Sequence, residues 1–126
     1  MTSTRILIID DDNTALWLAR QFLDDAGFEA KGASSVSEFE AVISDWPPDV
    51  VVADVRMPDL SGPQLCRVLK DRYQTAHIPV VLYSALPEDE LAGLAQECEA
   101  ETYINKLAGL DYLVNRLEEL CRRTLW

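Results

Sequence analysis

The sequence predicts an α/β fold: a doubly wound, parallel five-stranded sheet with helices on both faces. Three observations predict it. Short apolar runs alternate with helical patterns five times along the 126 residues. The first, third and fourth runs are continuous β-branched and aliphatic stretches, as strands covered on both faces require. A strict βαβα alternation also calls for right-handed crossovers, and hence for parallel strands. No linker, repeat or low-complexity tract interrupts the pattern, so residues 1–126 are expected to form one domain.

The first strand is read at Arg5–Asp10 (RILIID). A helix follows, with Leu16, Ala19, Leu23 and Ala26 on one face and Gly27 as its stop. Phe28–Lys31 reads as a second strand, less uniformly apolar and therefore at an edge. Ser35 with Glu38 three residues on resembles a capping box for the second helix, which turns Phe39, Val42 and Ile43 inward. That helix ends by Trp46, because Pro47-Pro48 cannot continue it. The third strand is Val50–Asp54 (VVVAD). Pro63 suits the first turn of the third helix, whose apolar residues are Leu65, Cys66 and Leu69. Pro79–Ser84 (PVVLYS) is the fourth strand. Pro87 is placed in the first turn of the fourth helix, where Glu88-Asp89-Glu90 complements the helix dipole ahead of Leu91, Leu94, Ala95 and Cys98. Thr102–Asn105 (TYIN) is the other edge strand, and the last helix carries Leu110, Leu113, Val114, Leu117, Leu120 and Cys121 before Arg122-Arg123.

Composition narrows the function. With 48% hydrophobic and 26% charged residues the chain is globular rather than disordered. A chain of this length buries roughly two-thirds of its unfolded surface, enough for a core without staples. No apolar run approaches the roughly 20 residues that span a bilayer, and the N-terminus lacks the pattern of a secretory signal. A cytoplasmic protein without membrane contact is expected. Eleven basic against 22 acidic residues give a net charge of −11, which argues against direct nucleic-acid binding. Six acids (Glu88, Asp89, Glu90, Glu97, Glu99, Glu101) and no base lie between Leu86 and Glu101. They read as a solvated face, or more sharply as a docking face for a basic protein. Cys66, Cys98 and Cys121 sit among apolar residues without a C-x-x-C pair, so they read as buried thiols. The single histidine, His77, reads as a loop residue, which leaves zinc chemistry and a Ser-His-Asp triad without their parts.

In such sheets, sites form beyond the carboxyl ends of the strands, near the switch in strand order. The strand ends carry Asp10-Asp11-Asp12, Asp54, Ser84 and Asn105-Lys106. Carboxylates crowded within a few ångströms repel one another. A hard divalent cation resolves that conflict, and an all-oxygen donor set favours Mg²⁺. A carboxylate beside Mg²⁺, an ammonium and a hydroxyl is arranged to attack phosphorus, giving an acyl phosphate on aspartate.

Taken together, ILIIDDD at the first strand, DVVVADVRMPDLSG at the third, PVVLYSA at the fourth and AETYINK at the fifth resemble the receiver domain of two-component response regulators. The resemblance covers essentially the whole chain and implies the flavodoxin-like strand order 2-1-3-4-5. It implies that Asp54 accepts phosphate from a sensor histidine kinase or phosphotransfer protein. Asp10 and Asp11 would hold Mg²⁺ together with Asp54 and the backbone carbonyl of Arg56. Ser84 would be the hydroxyl that moves toward the phosphate, Lys106 the ion-pairing lysine, and Tyr103 the switch aromatic. The chain would catalyse only its own phosphorylation and slow dephosphorylation, so it is not expected to be a metabolic enzyme. Output to a downstream protein would leave through the fourth helix, fifth strand and fifth helix, a face through which receivers also pair as homodimers.

Neighbouring residues take plainer roles. Asp12 reads as a helix cap and Asp59 as turn chemistry. Alone, Ser84 would read as a capping hydroxyl and Tyr103 as a half-buried strand aromatic. Asp54 is the least open to such a reading, since a carboxylate straight after VVVA is costly without a cation facing it. The sequence departs from the family at Leu107, where proline normally follows the lysine, often with a cis peptide. A non-proline cis bond costs about 2.5–4 kcal/mol, so either the backbone keeps that cost or the peptide is trans and the loop differs. Ser61 also replaces a frequent Asp, and Arg56 and Leu86 stand where the family's phosphate lifetime is influenced.

Three rival readings use the same residues. IIDDDNTAL is similar to the D-x-D-x-T signature of haloacid-dehalogenase-type phosphatases, with Asp10 as nucleophile and Asp12 as acid/base. That family needs a further acidic pair after the lysine, where only Asp111, Glu118 and Glu119 follow, and it leaves Asp54 unexplained. A flavin module would need a phosphate cradle where this chain has three acids. A pseudo-receiver, a constitutive interaction module with the same fold, draws its support from Leu107 alone.

Overall fold

The computed structural model describes residues 4–56, 62–71 and 76–124. Five strands, β1 (Arg5–Ile9), β2 (Glu29–Ala33), β3 (Val50–Ala53), β4 (Val80–Ser84) and β5 (Thr102–Asn105), alternate with five helices. These are α1 (Asn13–Asp25), α2 (Val36–Asp45), α3 (Gly62–Asp71), α4 (Glu88–Glu97) and α5 (Leu110–Thr124), with a 3₁₀ turn at Lys106–Ala108. The sheet is wholly parallel in the order β2-β1-β3-β4-β5, as expected.

Alternation along the central strands builds two cores. Leu7, Ile9, Val51, Ala53 and Leu82 pack with Phe39, Leu65, Leu69 and Leu91 of α2, α3 and α4. Ile6, Ile8, Val50, Val52 and Val81 point the other way, onto Leu16 and Leu23 of α1 and Leu113 and Leu117 of α5. This period-two division is why β1, β3 and β4 read as continuous apolar runs: both of their faces are covered.

Local signals act largely as read. Asp12 is the N-cap of α1, its side chain accepting from the backbone N–H groups of Thr14 and Ala15. Ser35 caps α2 by accepting from the Glu38 N–H at 3.2 Å, but the box is displaced by one residue. Glu38 returns its carboxylate to the N–H and hydroxyl of Ser34, at 2.7 and 2.6 Å, and these bonds lower its pKa. All three cysteines are buried, and His77 lies in an exposed turn.

Four expectations are corrected. β2 runs through Gly32 to Ala33 instead of stopping at Lys31, because Ile8 and Ile9 of β1 pair with those two residues. Gly32 is needed there, since a Cβ would lie 2.8 Å from Leu16 Cγ. Ala26 is the exposed C-cap of α1 rather than part of its buried face. Pro87 precedes the first turn of α4 as its N-cap. The strand ends at Asp10 and Asp54 fall one residue beyond β1 and β3, although their backbone N–H groups still extend the ladder. Asp59 and Ser61 lie outside the described residues.

Candidate functional site

The site is built at the carboxyl edge of the sheet, where β1 and β3 are neighbours and the chain order reverses. The Asp10 N–H donates to the Ala33 carbonyl at 3.1 Å, and the Asp54 N–H to the Ile9 carbonyl at 2.9 Å. Both aspartates therefore keep strand geometry and continue the register Ile9↔Ala53. Adjacent strands lie about 4.8 Å apart, so the fold itself crowds the two carboxylates.

A cation from the far edge answers that crowding. The Lys106 ammonium donates to Asp10 Oδ2 at 2.7 Å and to Asp54 Oδ2 at 3.2 Å. It crosses the end of β4 to do so, 5.5 Å from the centroid of the Tyr83 ring. Burial alone would lower the lysine's pKa, but its hydrogen bond to Asp10 and the charges of Asp54 and Asp10 outweigh burial and move it upward. The ammonium is thus a fixed positive charge at neutral pH. The remaining carboxylate oxygens are held by backbone: Asp10 Oδ1 accepts from the Asp12 N–H at 2.9 Å, and Asp54 Oδ1 from the Arg56 N–H at 3.0 Å.

Asp10, Asp11 and Asp54 each bring a carboxylate oxygen to within 4.8 Å of the others. Asp10 is buried, Asp54 partly buried and Asp11 exposed, so the group opens to solvent on one side. Hard oxygen donors on an open rim suit an ion that keeps several of its waters, as Mg²⁺ does. Ser84 ends β4 almost fully buried, its Oγ accepting from the Leu86 N–H at 3.3 Å. Tyr103 is half-buried on β5, and its hydroxyl reaches Glu88 Oε1 at 3.4 Å. The structure therefore brings Asp10, Asp11, Asp54 and Lys106 together, with Arg56 at the rim, Ser84 below it and Tyr103 on β5 three residues before Lys106.

Sequence reasoning passed over two residues. Tyr83, read as one more apolar strand residue, floors the path of Lys106. Asn105, read as a strand end, accepts from the Leu107 N–H and donates to the Leu86 carbonyl. The Lys106–Leu107 peptide is trans, which decides between the two backbone outcomes left open by the missing proline. The acids Glu88, Asp89, Glu90, Glu97, Glu99 and Glu101 are all exposed, consistent with a solvated face. No described helix is long and apolar enough to cross a membrane.

Comparison with known proteins agrees with this geometry. The family model described as response regulator receiver domain matches residues 6–118. The phosphate regulon transcriptional regulatory protein PhoB of Pseudomonas aeruginosa is 34% identical over 124 residues, covering 98% of this chain and 54% of PhoB. The DNA-binding dual master transcriptional regulator RpaA of Synechocystis is 31% identical over 122 residues, covering 95% of this chain and 50% of RpaA. The chain spans about half the length of these curated relatives. Among solved structures, the signal receiver domain of a histidine kinase from Syntrophus aciditrophicus matches with a TM-score of 0.85 at 27% identity, over 98% of this chain and 93% of that one. Chemotaxis protein CheY4 of Vibrio cholerae shares the fold, with a TM-score of 0.85 at 21% identity over 94% and 98% of the two chains. With its acidic strand ends, bridging lysine and 2-1-3-4-5 sheet, the chain belongs to the receiver domain family of two-component response regulators.

Proposed function

We propose that residues 1–126 act as one phosphorylation-operated switch in the cytoplasm, with Asp54 taking a phosphoryl group from a phosphohistidine on a sensor histidine kinase or phosphotransfer protein. The observation that carries this reading is the Lys106 ammonium bridging Asp10 and Asp54 at 2.7 and 3.2 Å beside a third carboxylate, Asp11. An Asp54 oxygen attacks phosphorus in line with the P–N bond. A P–O bond forms, the P–N bond breaks, and the departing imidazole keeps the bonding pair and takes a proton from solvent.

Asp10, Asp11, Asp54 and the Arg56 carbonyl would hold Mg²⁺, which when bound supplies positive charge against the incoming phosphoryl oxygens. Lys106 adds a second positive charge beside the same carboxylates. The Ser84 hydroxyl, now accepting from Leu86, turns its own proton to a phosphoryl oxygen and draws the β4–α4 loop with it. Tyr103 then leaves Glu88 and turns inward, which changes the α4–β5–α5 face read by a downstream protein or by a second copy of the chain. The exposed acids of α4 favour a basic or mixed partner surface on that face. On α1, which follows the acidic loop, Trp17 is 59% exposed and Leu18 and Phe22 are exposed as well, apolar surface suited to the phosphodonor protein. Water attacking the acyl phosphate returns the carboxylate and inorganic phosphate, and no other turnover is ascribed to the chain.

The test is exposure to acetyl phosphate with Mg²⁺, followed by peptide mass spectrometry. A single phosphorylated residue, Asp54, and no modification of Asp54→Asn are expected. Equal modification of the variant, or modification at Asp10, overturns the reading. An unmodified wild-type chain would favour the constitutive module that the missing proline suggests.

A further inference from the structure

Asn105 closes β5 and stands in register beside Ser84. Both ends of its carboxamide are used. Oδ1 accepts from the Leu107 N–H at 2.8 Å and caps the 3₁₀ turn Lys106–Ala108. Nδ2 donates to the Leu86 carbonyl at 2.9 Å, and Leu86 in turn donates its N–H to Ser84 Oγ at 3.3 Å. One side chain therefore joins the turn that launches Lys106 to the loop that holds Ser84.

The Leu107 side chain and the peptide before it add no further support at the start of that turn. Leu107 is 83% exposed, so its side chain anchors nothing. The trans peptide at Lys106–Leu107 carries no proline ring to fix its direction. The far end is tied back to the first residue by the Gly109 N–H on the Lys106 carbonyl at 3.2 Å, with Gly109 at φ 94°. The lysine arm then spans β4 to reach Asp10, and a small change at its base is carried to the ammonium. A misplacement of about 1 Å can cost up to 10²-fold in rate.

Resting on the proposed role of Asp54, we infer that Asn105 is a positioning residue for phosphoryl transfer: its carboxamide aims Lys106 at Asp10 and Asp54 and couples that aim to the Ser84 loop. Two quantities then move in different directions when the amide is lost. The ammonium competes with a metal for the oxygens of Asp10 and Asp54, so a lysine released from them leaves Mg²⁺ binding intact or tighter. Phosphoryl transfer, which needs the lysine in place, slows. A fold loosened in general would weaken both.

The experiment compares wild type with Asn105→Ala by Mg²⁺ calorimetry and by the rate of acetyl phosphate labelling at saturating Mg²⁺. Labelling about tenfold slower is expected, with Mg²⁺ affinity equal to wild type or about twofold tighter. Labelling within twofold of wild type overturns the inference, as does a parallel fall in rate and metal affinity. If the alanine variant does not fold, Asn105→Ser keeps an oxygen for Leu107 and loses the Leu86 tether. It is expected to label about threefold slower with metal affinity retained, and wild-type labelling by this variant overturns the coupling. A wild-type chain that takes no phosphoryl group overturns the role of Asp54 instead. The calorimetry still reads Asn105 in that case, because tighter Mg²⁺ binding supports the released lysine, and unchanged or weaker binding counts against it.

Discussion

Asp12 spends its carboxylate on the N–H groups of Thr14 and Ala15 at 3.0 and 3.3 Å, while Asp10, two residues earlier, faces Lys106. Removing the cap should therefore affect folding and not the metal. Asp12→Ala is expected to lose about 1 kcal/mol in urea denaturation, with Mg²⁺ affinity within about twofold of wild type. Lys106 makes a prediction in pH. Its folded pKa lies above the unfolded value, so its pairing contributes fully below the unfolded pKa and is lost as pH rises through the elevated folded one. Lys106→Met should thus show its largest stability deficit at neutral pH, narrowing only in strongly alkaline solution, as a denaturation series across pH would record. Burial, helped by the neighbouring Cys98, pushes the Cys66 thiol up to about 12. Native protein at pH 8 is expected to leave Cys66 unalkylated by iodoacetamide until denaturant is added, a difference mass spectrometry reads directly.

The elements were legible where a local pattern decides them and illegible where a neighbour does. Continuous apolar runs marked β1, β3 and β4 because two cores cover them. The apolar pattern of β2 fades after Lys31, yet its last two residues are held by β1, and Gly32 is pressed by Leu16 of α1. The close approach at Gly32 gives that packing a test. Gly32→Ala would set a Cβ 2.8 to 2.9 Å from three Leu16 carbons and is expected to cost about 1–3 kcal/mol. In a double-mutant cycle with Leu16→Ala, most of that cost should vanish; additive losses would mean the strain lies elsewhere. The capping box shows the same limit in miniature. Ser35 and Glu38 were identifiable, but only the folded chain directs the Glu38 carboxylate to Ser34.

Across the whole molecule, a net charge of −11 makes the acidic rim the natural place for a divalent cation to act on stability. Mg²⁺ at 100 times its dissociation constant should stabilise the chain by about 2.7 kcal/mol, a rise of roughly 3–5 °C in Tm per kcal/mol. Sodium chloride at matched ionic strength controls for screening, and Asp11→Asn should remove most of the specific increment. Residue order alone determined the βα alternation, the parallel sheet and the chemistry at the strand ends, because apolar periodicity and the carboxyl-edge rule act within a few residues of each position. Only the tertiary structure decided that Lys106 still meets Asp10 and Asp54 without a following proline. That meeting depends on the register of β1, β3, β4 and β5, on the ring of Tyr83 and on the bond from Asn105 to the Leu86 carbonyl, all contacts between segments distant in the chain.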